Sequence, residues 1–284
     1  MTDVLEGVML LWFIMVALSV AFVAIDIRST PEAIVLKWGF VLVTLFIGPI
    51  GAFLYVIGCR EPMAGMHERY VAAQWRQTLG STMHCVAGDG VGILAGAVIG
   101  SLLMMPRPAD VIVEYLLGFS FGWGIFQALF MRDMVGGSYL LALRSTFMPE
   151  LLSMNCLMGG MIPVSAIGRS AVAGSVSPAA PAFWFIMSMA LLTGFIIAYP
   201  MNWWLVARGL KHGMLTVRRP VADRMGASDD SMKMDMKPGA PPTVGHQEEH
   251  RGAKVAPASI VATTVLSFVV MAAGIGIAIA AGAL

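Results

Sequence analysis

Within an apolar run at residues 81–105, His84, Cys85 and Asp89 stand within about one and a half helical turns. A thiolate and a neutral imidazole are ordinary ligands for first-row metals, and a carboxylate beside them either completes the site or orients the imidazole. At about 100° per residue, Cys85, Asp89, Gly92, Gly96 and Gly100 share an arc of roughly 80°. Glycines at four-residue spacing admit a neighbouring backbone, so this face points into a helix bundle and away from lipid. An ionisable group held there is expensive and marks function by default. The competing reading is a capped helix start in which Cys85 acts as a small hydrophobe. It fits Asp89 poorly, because Asp89 lies too deep for a cap.

A second set lies further along, where Glu150, Met154, Met158 and Met161 fall within about 80° of one another on a helical wheel. Methionines at this spacing also describe an ordinary packed face. A carboxylate on the same face favours a path for a soft cation, since thioethers suit Cu(I). The expected metal ligands are therefore His84, Cys85 and Asp89, with Met154 and Met158 as a second set along the path. Glu150 is expected to serve proton coupling or cation attraction, with Asn155, Asn202 and His212 in supporting transport roles. Asn155 and Asn202 also suit the repair of backbone groups freed near Pro or Gly. Glu114 reads as interfacial, and Cys59 and His67 carry no legible signal.

The elements that must position these groups are membrane helices. The 284 residues are 58% hydrophobic and 12% charged, about half the charge of a soluble domain. Seven apolar spans are expected, near 4–27, 33–58, 81–105, 110–134, 147–167, 182–206 and 258–281, the second kinked at Gly48-Pro49. The expected fold is an all-α polytopic bundle: a six-helix core over 1–207, a disordered cytoplasmic linker over 208–257 and a last helix over 258–284. Met232, Met234, Met236, His246 and His250 in that linker are sparse and read as ordinary disordered chain.

With seven spans, Arg60, Arg69, Arg76, Arg132, Arg144 and the linker fall on one side, against Arg28, Lys37, Arg107 and Arg169 on the other. The positive-inside rule then puts the N-terminus in the cytoplasm and the C-terminus outside. A net charge of +1 gives no reason to expect a nucleic-acid partner. Three cysteines without CxxC spacing imply no disulfide framework. No Walker loop, HExxH, GxSxG or CxxCH is present, so neither nucleotide nor haem is expected, and a non-enzymatic role is favoured over catalysis by Cys85.

Several segments together resemble an uncharacterised family of bacterial membrane proteins known by a domain-of-unknown-function label. They are Asp26-Ile27 with Pro31, Gly48-Pro49, Ser81-Thr82-Met83-His84-Cys85, Ser153-Met154-Asn155 with Met158, Gly160, Met161 and Pro163, Pro200-Met201-Asn202-Trp203-Trp204-Leu205-Val206, and Lys211-His212-Gly213-Met214. The resemblance covers roughly residues 5–215. It implies His-Cys-x-x-Gly-Cys in the third helix, from which this chain departs with Asp89 at the second cysteine position. It also implies a multi-pass protein of the bacterial inner membrane with metal chemistry. The resulting expectation is a metal-ion transport or binding protein, with copper as the ion. The alternative is a non-catalytic accessory subunit docked by its glycine faces onto a larger complex. The expected partners are membrane lipid, further membrane subunits or a second copy of the chain.

Overall fold

The computed structural model describes residues 2–132, 135–214 and 256–284, and its regular elements are helices. They form an all-α bundle in which six helices are long and apolar enough to cross a bilayer. In order these are α1 (Thr2–Asp26), α5 (Gln74–Leu102), the run from α6 (Arg107–Phe119) to α7 (Ala128–Arg132), α8 (Tyr139–Ala171), α9 (Pro181–Ala207) and α10 (Pro257–Ala280). Large apolar side chains such as Leu10, Leu18, Ile196, Val265 and Val269 point outward, as a lipid-facing surface requires.

The expected second span has a different form. Residues 34–58 make two short helices, α2 (Ile34–Ile47) and α3 (Pro49–Gly58), parted at Gly48 with φ +58°. The chain reverses there. Gly51 abuts the backbone of Thr44, and the Phe40 and Tyr55 rings are 5.7 Å apart. Tyr55 donates to Asp26 at 2.7 Å, Arg60 pairs with the same carboxylate at 2.9 Å, and His67 meets Glu32 at 2.7 Å. The end of α3 therefore returns to the level where α2 began. At 1.5 Å per residue α2 reaches about 20 Å in, roughly two thirds of a hydrocarbon core. Its tip is fixed by Ser188, which donates to the Phe46 carbonyl and accepts from Trp12 at 3.2 Å. Sequence composition shows that residues 33–58 are apolar, but not whether they cross or turn back. Glycine at the one position needing positive φ, followed by proline, permits the reversal.

With a hairpin in place of a crossing, the ends of α1, α6–α7 and α9 share one face with the starts of α5, α8 and α10. That face is called here the Asp26 face, and the opposite one the Leu102 face. The short α4 (His67–Val71) lies in the connector on the Asp26 face.

The glycine stripe of α5 does what its spacing implies. Gly92 lies against the Leu117 carbonyl, Gly96 against the Glu114 backbone and Gly100 against the Asp110 side chain, so α5 and α6 pack almost backbone to backbone. Gly159 and Gly274 bring α8 and α10 together in the same way. Between α6 and α7, Ser120–Gln127 is a π-helix of eight residues, where a regular helix was expected. π-Segments often mark functional sites, and this one lies across from Cys85 and Asp89.

The expected linker is partly folded. Residues 208–214 turn back over the bundle, burying Lys211 and Met214, with Met214 against Gly80 and Gly213 against Gln77. The methionines and histidines at 232, 234, 236, 246 and 250 lie outside the described residues.

Candidate functional site

Cys85 on α5 sits at the centre of a closed polar cluster. Its thiol lies 3.3 Å from both Glu150 oxygens, 3.5 Å from Asp89 Oδ2 and 3.2 Å from the Ser153 hydroxyl. The ligand atoms of Cys85, Asp89 and Glu150 all fall within 4.8 Å of one another, and all three residues are buried. Convergence follows from helix direction: α5 and α8 both start at the Asp26 face, and Cys85 and Glu150 are each eleven residues into their helices. Pro149 removes one backbone hydrogen bond immediately before Glu150. On the far wall, Gly122 of the π-segment presses on both carboxylates, and a Cβ there would collide with Asp89 Oδ1. Glycine is what allows the pair to sit against the backbone.

Lys211 closes the cluster from the Asp26 face. Its ammonium is 3.3 Å from Glu150 Oε2 and 3.0 Å from Asn202 Oδ1, and it is buried. Burial pushes its pKa down, but Cys85, Glu150 and Asp89 around it more than reverse this, so it stays charged. One ammonium faces two carboxylates. The negative charge left over must be balanced by a proton or a cation, because an unbalanced charge at this depth costs several kcal/mol or more, on the order of the desolvation penalty. Asp89 Oδ1 is buried without a hydrogen-bond partner and offers a free acceptor to such an ion.

The expected residues divide into groups. Cys85, Asp89 and Glu150 meet, with Asn202 joined through Lys211. Met154 is one turn along α8, its methyl approaching Gly118 beside the Asp89 carbonyl, and Met158 and Met161 continue buried toward the Leu102 face. His84 lies apart, its ring between Phe126 at 5.6 Å and Phe130 at 5.0 Å, and outside the Cys85 group. Asn155 ties three helices, accepting from Tyr115 at 2.8 Å and donating to Ser267 of α10 at 3.1 Å. His212 is exposed beside Lys211.

Sequence reasoning missed two features. Lys211 stood in a segment of the family resemblance, but its place in the cluster was missed because helical periodicity does not say that a polar segment folds back. The second is a buried ion triad near the Leu102 face, where Arg169 pairs with Asp110 at 2.5 Å and with Glu114 at 3.0 Å. Glu114, expected at the interface, is thus buried, and the Arg169 guanidinium also lies over Phe183 at 5.4 Å.

The fold and cluster together define a multi-pass helical protein with an intramembrane group of ionisable side chains. Residues 74–211 match the model of a family described as a domain of unknown function, DUF4396. The match starts at the first residue of α5 and ends on Lys211, so it spans the whole cluster and leaves out the hairpin and α10. No curated protein and no solved structure matches the chain.

Proposed function

We propose that this protein binds and moves a transition-metal ion within the membrane, and that the ion is copper. The observation that carries the reading is the convergence of Cys85, Asp89 and Glu150 within 4.8 Å in the buried centre of the bundle. A thiolate supplies the soft ligand, while the carboxylates balance the ion's charge. The thioethers of Met154, Met158 and Met161 offer weak, neutral steps from the cluster toward the Leu102 face. An arriving cation competes with the Lys211 ammonium for Glu150, which couples loading to a change at the Asp26 face. The glycine faces that a docking subunit would present are occupied within this chain, Gly92 and Gly96 against α6 and Gly274 against Gly159, which favours transport over the accessory role.

The test is copper content after loading under reducing conditions in mild detergent. Wild type is expected to hold about one equivalent, and Cys85→Ala and Glu150→Gln are each expected to weaken binding by more than about 100-fold, beyond the usual loss from a supporting residue. Copper content equal to wild type in both variants would falsify the ligand assignment. His84→Ala is expected to retain the ion.

Orientation follows from the hairpin. Arg28, Lys37, Arg60, Arg69, Arg76, Arg132 and Arg144 lie toward the Asp26 face, and only Arg107 and Arg169 of the described basic residues lie toward the other. By the positive-inside rule the Asp26 face is cytoplasmic in a bacterial inner membrane. With the six crossings of the described residues, this reading has both ends of the chain outside. This departs from the expected cytoplasmic N-terminus because the hairpin removes one crossing. A membrane-impermeant thiol reagent applied to intact cells should leave both Ser29→Cys and Met63→Cys unlabelled until the membrane is opened. Labelling of one but not the other in intact cells would mean that residues 34–58 cross.

A further inference from the structure

Three side chains without a sequence signal meet at the open end of the hairpin. Glu32 precedes α2, Cys59 follows α3 and His67 opens α4, so three separate segments deliver a carboxylate, a thiol and an imidazole to one place. Their ligand atoms lie within 4.8 Å of one another and all three residues are buried. His67 Nε2 and Glu32 Oε1 share a hydrogen bond of 2.7 Å, which leaves His67 Nδ1 and Glu32 Oε2 buried without partners. Each such orphaned buried atom is unfavourable if nothing binds it. Two of them beside a thiol are unused donor capacity in a small, closed space.

We propose that Glu32, Cys59 and His67 form a second metal site, for a borderline divalent ion of the Zn²⁺ type, that clamps the mouth of the hairpin. One sulfur, one nitrogen and one oxygen donor are the ligand types zinc takes. Tetrahedral bonds of roughly 2.0–2.3 Å place donors about 3.3–3.8 Å apart, so side-chain movement of about 1 Å from the present spread closes the site. No backbone rearrangement is needed. The site ties Glu32, two residues before α2, to Cys59, the residue after α3, beside the Arg60–Asp26 and Tyr55–Asp26 contacts that already hold this end. It lies outside the matched stretch 74–211 and does not depend on the intramembrane cluster.

The test uses the full chain in detergent with Cys85→Ala and Cys156→Ala, which leaves Cys59 as its only thiol. Zinc content is measured directly, and Co²⁺ is added as a spectroscopic probe. About one equivalent of zinc and a thiolate-to-cobalt charge-transfer band are expected. Both should disappear on adding Cys59→Ser or His67→Ala, and Glu32→Gln should weaken zinc binding by more than about 100-fold, beyond the usual loss from a residue that only supports a ligand. Absence of the band and of bound zinc in the Cys59-only protein overturns the proposal, as does a band that survives Cys59→Ser. The Cys59-only protein decides the matter even if the further variants fail to fold, and loss of copper at Cys85 is measured separately.

Discussion

Lys211→Met lowers the thermal midpoint of the detergent-solubilised protein by roughly 6 to 20 °C. Among the described residues the ammonium is the cation paired with Glu150, at 3.3 Å, and both residues are buried. Removing one member of a buried pair typically costs about 3–5 kcal/mol, because the other charge is left uncompensated, and a chain of this size loses roughly 2–4 °C per kcal/mol. Lys211→Met with Glu150→Gln should recover most of the loss, since the charge goes with its partner. Copper should also raise the midpoint of Lys211→Met more than that of wild type, because the ion then supplies the missing positive charge without competition. A Lys211→Met midpoint within about 2 °C of wild type, small against that expectation, would remove Lys211 from the electrostatics of the site.

Arg169→Met should be at least as damaging. Its guanidinium serves two buried carboxylates at once, Asp110 at 2.5 Å and Glu114 at 3.0 Å, and also contacts the Met187 sulfur at 3.3 Å. Without it, two buried acids face each other with nothing between them, so the cost begins at about 3–5 kcal/mol. Arg169→Lys keeps the charge but loses the planar fork that reaches both acids, and should fall between the two. The triple change Asp110→Asn, Glu114→Gln, Arg169→Met should regain stability, as uncharged replacements of buried ion groups commonly do. Unfolding followed by near-UV circular dichroism measures all three. If the triple variant is no more stable than Arg169→Met, the loss is one of packing and not of charge.

The readable part of this molecule was its close-range periodicity. The stripe from Cys85 to Gly100 reports a buried helix face, because only a close neighbour gives that pattern a use. Glu150 could be placed opposite Cys85 because α5 and α8 start on the same face whether residues 34–58 cross or turn back. What failed needed information that periodicity does not carry. Glu114 read as interfacial because its partner, Arg169, lies 55 residues away on α8, and only the packing of α6 against α8 brings the two together. His84 adjoins Cys85 in sequence, but one residue along a helix is about 100° around it, and that rotation puts the ring among phenylalanines. The hairpin was hidden because an apolar stretch of crossing length satisfies lipid equally well in either form. Its trace was polar: Asp26, Glu32, Tyr55, Arg60 and His67 find their partners only if both ends of residues 34–58 lie at the same level.

That hairpin also gives the molecule a shape in the plane of the bilayer. Two helices of about 10 Å diameter enter from one face and stop short of the other, adding roughly 80 Å² of cross-section each on the Asp26 side. The protein is therefore wider on the Asp26 side than on the Leu102 side. Lipids must splay around a wedge whose narrow end lies at the Leu102 face.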